Sequence, residues 1–183
     1  MGKERMPKII KDFEGAKSWL KTTLCLIDAQ NIYYTPKLIY KIPVDFKRLY
    51  KSMEQIAGGP IYPIIYLVAD PVVNQEKFIE RLNSIGYHIR IKLMWHHDGQ
   101  AHNTNWDDEI IEDAMALLPY HPGVIMVSGD HGFIPTLDKW KAAGKNTQVF
   151  SFERDISCQI VESEHMAHIL GREILFKRRC SVQ

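Results

Sequence analysis

The chain has 183 residues, 45% hydrophobic and 25% charged, which is the composition of an ordinary globular protein with enough length for one real core. Disordered, collagen-like and solenoid chains are excluded. Twenty-three Lys and Arg against twenty-two Asp and Glu leave a formal net charge of +1, so a polyanionic partner must be held by a local patch.

Residues 1–22 scatter Ile9, Ile10, Phe13, Trp19 and Leu20 among charges and read as an N-terminal extension without an apolar signal core. Leu24-Cys25-Leu26-Ile27 is then a short apolar run ending in Asp28, the pattern of a buried parallel strand. The segment after Asn31 carries Tyr33, Tyr34 and Tyr40 with Lys37 and Lys41, and reads as a loop offering charge for phosphates and rings for bases. Val44, Phe46, Leu49, Met53 and Ile56 keep a helical period until Gly58-Gly59-Pro60. A second strand, Ile64 to Ala69, ends in Asp70, and far fewer than the roughly 20 apolar residues of a membrane span are gathered there. Phe78, Ile79, Leu82 and Ile85 mark the next helix, and His88 to Trp95 the next strand.

His96-His97-Asp98 with His102 offers transition-metal ligands, but their spacing suits a flexible loop better than a tetrahedral zinc cage. Ile110, Ile111, Ala114 and Leu118 form the stripe of another helix, and counting back places Asp107 on that inward stripe; Asp107 and Asp108 could instead be first-turn acids favoured by the helix dipole and pointing to solvent. The strand Val124 to Val127 runs into Ser128-Gly129-Asp130. A helix through Leu137 and Trp140 and a strand over 147–152 follow, and residues 171–183 read as a basic tail with Lys177-Arg178-Arg179. Cys25, Cys158 and Cys180 are odd in number and lack a CxxC, which fits a reducing, cytoplasmic setting.

Alternating β and α units predict an α/β fold, an open parallel sheet covered on both faces. Ligands of such sheets bind outside the carboxyl ends of the strands where strand order reverses, which draws attention to Asp28 and Asp130. Each could also simply cap the helix that follows it. A buried carboxylate at 107 needs a partner, and a divalent cation shared with Asp28 and Asp130 would supply one.

Ile27-Asp28-Ala29-Gln30-Asn31, Asn105-Trp106-Asp107-Asp108 and Ser128-Gly129-Asp130-His131-Gly132-Phe133, followed by Gly144-Lys145, resemble in order and content the NYN domain family of PIN-like nucleases. The resemblance covers about residues 23 to 170. It implies a Rossmann-like three-layer α/β/α sandwich with a central, mostly parallel sheet, and a metal-dependent ribonuclease using Mg²⁺ or Mn²⁺. By position it implies Asp28, Asp107, Asp108 and Asp130 as metal ligands and Asn31 as the residue that orients Asp28 or meets a phosphate. Asp113, Ser128 and His131 are implied as auxiliary groups, and RNA as the partner, contacted by Tyr33, Lys37 and Lys41; a homodimer is compatible with the family.

Two departures stand out. Gly132 occupies the place of a second Asp common in the family, and Thr104 that of a common Lys. They keep a second reading open, a catalytically weakened RNA-binding or assembly module on the same scaffold. A haloacid-dehalogenase-like phosphatase fits less well, because Gln30 and Ile134 stand where that class has acids.

Overall fold

The computed structural model describes residues 21–176 except 71, 95, 98, 99 and 102–104. Most of the extension, the side chains of His96 and His97, all of His102 and Thr104, and Lys177-Arg178-Arg179 therefore lie outside the described residues.

Six strands, β1 (Thr23–Asp28), β2 (Ile61–Ala69), β3 (His88–Leu93), β4 (Gly123–Val127), β5 (Asn146–Phe152) and β6 (Met166–Leu170), form one sheet in the order β3-β2-β1-β4-β5-β6. Every pairing in it is parallel. Leu26 lies opposite Ile64 on one side and Met126 on the other, so β1 is the centre of the sheet. The helices are α1 (Ala29–Ile39), α2 (Phe46–Ala57), α3 (Glu76–Ile85), α4 (Asp107–Leu117), α5 (Ile134–Ala142) and α6 (Cys158–Glu162).

Alternation along the buried strands sends successive side chains to opposite faces. Cys25, Ile27, Ile65 and Val127 join Ile32 of α1, Leu49 and Met53 of α2 and Leu82 of α3 in one core. Leu24, Leu26, Tyr66 and Met126 join Ile110 and Ala114 of α4, Leu137 and Trp140 of α5 and Ile160 of α6 in the other. The result is the expected three-layer α/β/α sandwich. Gly58 and Gly86 end α2 and α3 with φ of 68° and 113°, a left-handed conformation that a side chain would oppose.

One local expectation is corrected. The segment carrying Tyr33, Tyr34 and Lys37 is not a loop but helix α1, started by Asp28 and continued through Pro36. Ala29, Ile32 and Pro36 are buried on its inner side, and that burial outweighs the hydrogen bond that a proline cannot donate. Tyr40 and Lys41 lie beyond the helix, Lys41 with φ of 54°.

Candidate active site

The strand order reverses between β1 and β4, and their carboxyl ends deliver Asp28 and Asp130 to the crevice at that point. Asp28 is 6% exposed. Its backbone is extended, its Oδ1 accepts from the Gln30 amide at 3.0 Å, and its Oδ2 accepts from Asn31 Nδ2 at 2.6 Å. The capping role of an Asp in a βα turn is thus filled, and the same bonds fix the orientation of the carboxylate. Burial raises the Asp28 carboxyl above the usual range; the bonds from Asn31 and Gln30 oppose the rise, and the charge of Asp130 adds to it.

Asp130 sits in a tight turn. Its amide donates to Oγ of the buried Ser128 at 3.3 Å, and its Oδ1 accepts from the Gly132 amide at 2.8 Å. His131 Nδ1 stands 3.6 Å from the same oxygen, on an exposed ring. Gly129 explains how the turn fits. A Cβ there would fall 2.1 Å from the Asp155 carbonyl oxygen and 2.7 Å from Ser151 Oγ, so no side chain can be carried. The Ser157 amide donates to the Gly129 carbonyl at 3.0 Å and closes the contact between the two loops. At Gly132 a Cβ would lie 3.3 Å from Asp130 Oδ1, so an acid in that place would crowd the carboxylate already present.

Asp107 opens α4. It is partly exposed at the rim, and the buried residues of the helix are Ile110 and Ala114, so it is not turned wholly inward as the stripe predicted. Asp108 is exposed. Asn105 Nδ2 donates to Asp107 Oδ2 at 2.7 Å, repeating the Asn31–Asp28 arrangement. Burial raises the Asp107 carboxyl, and so do the charges of Asp28, Asp130, Asp108 and Glu109; every charge that shifts it is negative.

The start of α4 is held by residues that sequence reasoning missed. Trp106 is buried and its Nε1 donates to the Leu67 carbonyl at 2.9 Å. Lys92 of β3 donates to the Asn105 carbonyl at 2.8 Å, pairs with Glu109 Oε1 at 2.6 Å and lies 4.5 Å from the centroid of the Trp106 ring. The one signal available was the Asn105-Trp106-Asp107 string itself. Asp113 faces a different set of partners. Tyr66 Oη donates to its Oδ2 at 2.7 Å and Arg90 Nη2 lies 2.8 Å from its Oδ1, so it ties α4 to β2 and β3.

The structure therefore brings Asp28, Asp107 and Asp130 within electrostatic reach of one another, with Asn31 and Asn105 as amide props. Among the described residues, no group of three or more His, Cys, Asp or Glu side chains is gathered closely enough to hold a metal ion. The donors are hard carboxylate oxygens that repel one another, which fits Mg²⁺ or Mn²⁺, ions that are commonly held by one or two carboxylates and several waters. Tyr33 and Tyr34 meet edge to face at 5.4 Å on α1, and Lys37 donates to the Tyr33 hydroxyl. Lys41 lies past the far end of α1, separated from Asp28 by roughly 16 Å of helix.

The sequence model of one family, described as the NYN domain, matches residues 22–170. No curated protein matches the chain. Among solved structures, a protein of unknown function from Vibrio parahaemolyticus RIMD 2210633 shares the fold, with a TM-score of 0.73 at 22% identity over 85% of this chain and 97% of that one.

Proposed function

The chain belongs to the NYN domain family, whose members are generally nucleases, and from that premise we propose that it is a metal-dependent ribonuclease acting through Asp28, Asp107 and Asp130. One observation supports the reading: three acids from distant parts of the chain lie within electrostatic reach of one another at the switch point of a parallel sheet, where their mutual effect is repulsion. Carboxylates placed so that they oppose their own ionisation are what a bound cation would relieve.

Asp28, Asp107 and Asp130 would hold Mg²⁺ or Mn²⁺, with Asp108 at the solvent side. Such an ion supplies Lewis-acid stabilisation of a phosphodiester and a more acidic bound water. The chain's own residues do the positioning. Asn31 and Asn105 keep the Asp28 and Asp107 carboxylates turned, and Ser128 and the Gly132 amide set the Asp130 loop. Asp113 sets the angle of α4, and His131 stands at the open side of Asp130, where it can meet a substrate phosphate. Tyr33 and Lys37 on α1, and Lys41 beyond it, are proposed as RNA contacts.

In this reading residues 23–170 form the catalytic domain. A cytoplasmic site is supported by the cysteines at 25 and 158, which are free thiols. Among the described residues no helix is long and apolar enough to cross a membrane. A homodimer is supported by edge strand β6, on which Met166 and Ile169 are 60% and 51% exposed.

The test incubates the protein with single-stranded RNA in Mn²⁺, Mg²⁺ or EDTA, alongside Asp28→Asn and Asp130→Asn. Cleavage is expected with either ion in the wild type only. Cleavage that survives EDTA or both substitutions rules the mechanism out. Gly132 favours one second reading, a weakened RNA-binding module, because the chain lacks an acid there; RNA bound without Mn²⁺ and left intact would establish it.

A further inference from the structure

Starting beside Asp28, the α1–α3 face carries three cavities with shared walls. The first, about 330 Å³, lies beside Asp28 and is lined by Gln30, Tyr33, Tyr34, Asn74 and Phe78 among others. Tyr33 and Phe78 also line a second of about 300 Å³, together with Lys37 and Arg81. Arg81 is in turn shared with a third of about 370 Å³, between α2 and α3, whose lining includes Lys47 and Lys51 of α2 and a single acid, Glu54, on the same helix.

The chemistry changes along this trough. Near Asp28 it offers aromatic rings with the amides of Gln30 and Asn74, which carry both donors and acceptors, as the edge of a nucleobase does. An acyl chain would leave those amides unmatched. Farther away it turns cationic, through Lys37, Arg81, Lys47 and Lys51, all exposed. On a protein of net charge +1 that is a local accumulation. Lys37 lies 3.8 Å from the Tyr33 ring centroid and Arg81 4.9 Å from that of Phe176, so cation and ring are interleaved. Aromatic platforms along a positive groove are how unpaired strands are held, because every base has a face to stack and every nucleotide a phosphate. Bases in a duplex are stacked inside it and cannot enter such a cavity.

We propose that this trough is the track of a single-stranded RNA. One base sits against Tyr33 and Tyr34 next to the acids, and the phosphates of the neighbouring nucleotides run over Lys37 and Arg81 to Lys47 and Lys51. The track rests on the ribonuclease reading and extends it to helices α2 and α3.

The experiment is fluorescence anisotropy of a labelled oligouridine in EDTA, with the full chain as wild type, as Tyr34→Ala, and as the triple variant Lys47→Ala, Lys51→Ala, Arg81→Ala. All four positions are exposed, and circular dichroism checks that each variant is folded. Each lost phosphate contact on a single strand should flatten the slope of log Kd against log salt by about 0.7, so the triple variant should lose about 2 and bind about tenfold or more weakly. Tyr34→Ala should weaken binding about fivefold or more with the slope unchanged. A hairpin duplex should compete poorly. Wild-type affinity and slope in the triple variant, or equal competition by the hairpin, overturns the track. Cleavage by the wild type in Mn²⁺, run in parallel, separates the two ideas. Cleavage with unaltered binding in the variants sinks the track alone, whereas variant-sensitive binding without cleavage supports the track and sinks catalysis.

Discussion

Asp28 is the residue on which most of the chemistry turns, and its environment has a measurable cost. Its carboxyl is raised chiefly by burial and further by Asp130. A raised carboxyl favours the folded state fully below the ordinary value of about 3.9, and that contribution is lost as pH rises through the folded value. At neutral pH the metal-free protein therefore carries a charge it would be more stable without. Asp28→Asn should stabilise the protein in EDTA at pH 7 by on the order of 1 kcal/mol, read as a raised melting temperature, with the gain shrinking toward pH 4. The same variant should lose the stabilisation that Mn²⁺ gives the wild type. A melting temperature of Asp28→Asn below that of the wild type across this range would contradict that account. Gly129 is the opposite case, a residue without chemistry on which the Asp130 turn depends. Gly129→Ala forces a Cβ into the Asp155 carbonyl and should cost about 3 kcal/mol in urea unfolding; a loss well under about 1 kcal/mol would show that the two loops can separate freely. Asp28 and Asp130 could be found in the sequence because strand-end acids are a local pattern. Gly129 could not be explained there, since the atom that excludes a side chain comes from residue 155.

At the level of elements, α4 is the part of the site that side chains of neighbouring strands hold in place. Its first turn carries Asp107, and its position depends on Lys92, Trp106 and the Asp113 pairs rather than on a helix cap, which Trp106 cannot provide. Lys92→Met should leave urea stability within about 1 kcal/mol, because a half-exposed pair and one ring contact are worth little. Mn²⁺-dependent turnover should nevertheless fall about tenfold or more, as happens when residues that orient ligands are removed. Unchanged turnover would mean that Asp107 is not held from β3. The helices α2 to α5 and the strands β1 to β5 left clear periods in the sequence. Helix α1 did not, because Pro36 and the polar and aromatic residues Tyr33 and Tyr34 obscure its stripe of Ala29, Ile32 and Pro36. Strand β6 did not either, since an edge strand with only Leu170 fully buried has no apolar run to read.

Across the whole molecule, the parallel sheet collects all strand carboxyl ends on one side and all amino ends on the other. At the amino ends the Tyr62 ring stacks 4.2 Å from His88 and 5.7 Å from His121, and Nδ1 of the buried His121 donates to the Thr22 carbonyl at 2.8 Å. Burial holds both imidazoles below their ordinary value. A depressed histidine stabilises the fold above about pH 6.5 and withdraws that support as pH falls through the folded value. The urea midpoint should therefore drop between about pH 7 and pH 5, and His88→Phe should remove part of the drop; an identical decline in that variant would place its source elsewhere. The two ends of the molecule thus respond to acid with opposite sign. Acidification relaxes the crowded carboxylates at one pole while it loosens the imidazole stack at the other, so a tryptophan signal from position 106 and histidine proton resonances from 88 and 121 should trace two separate titrations within one fold.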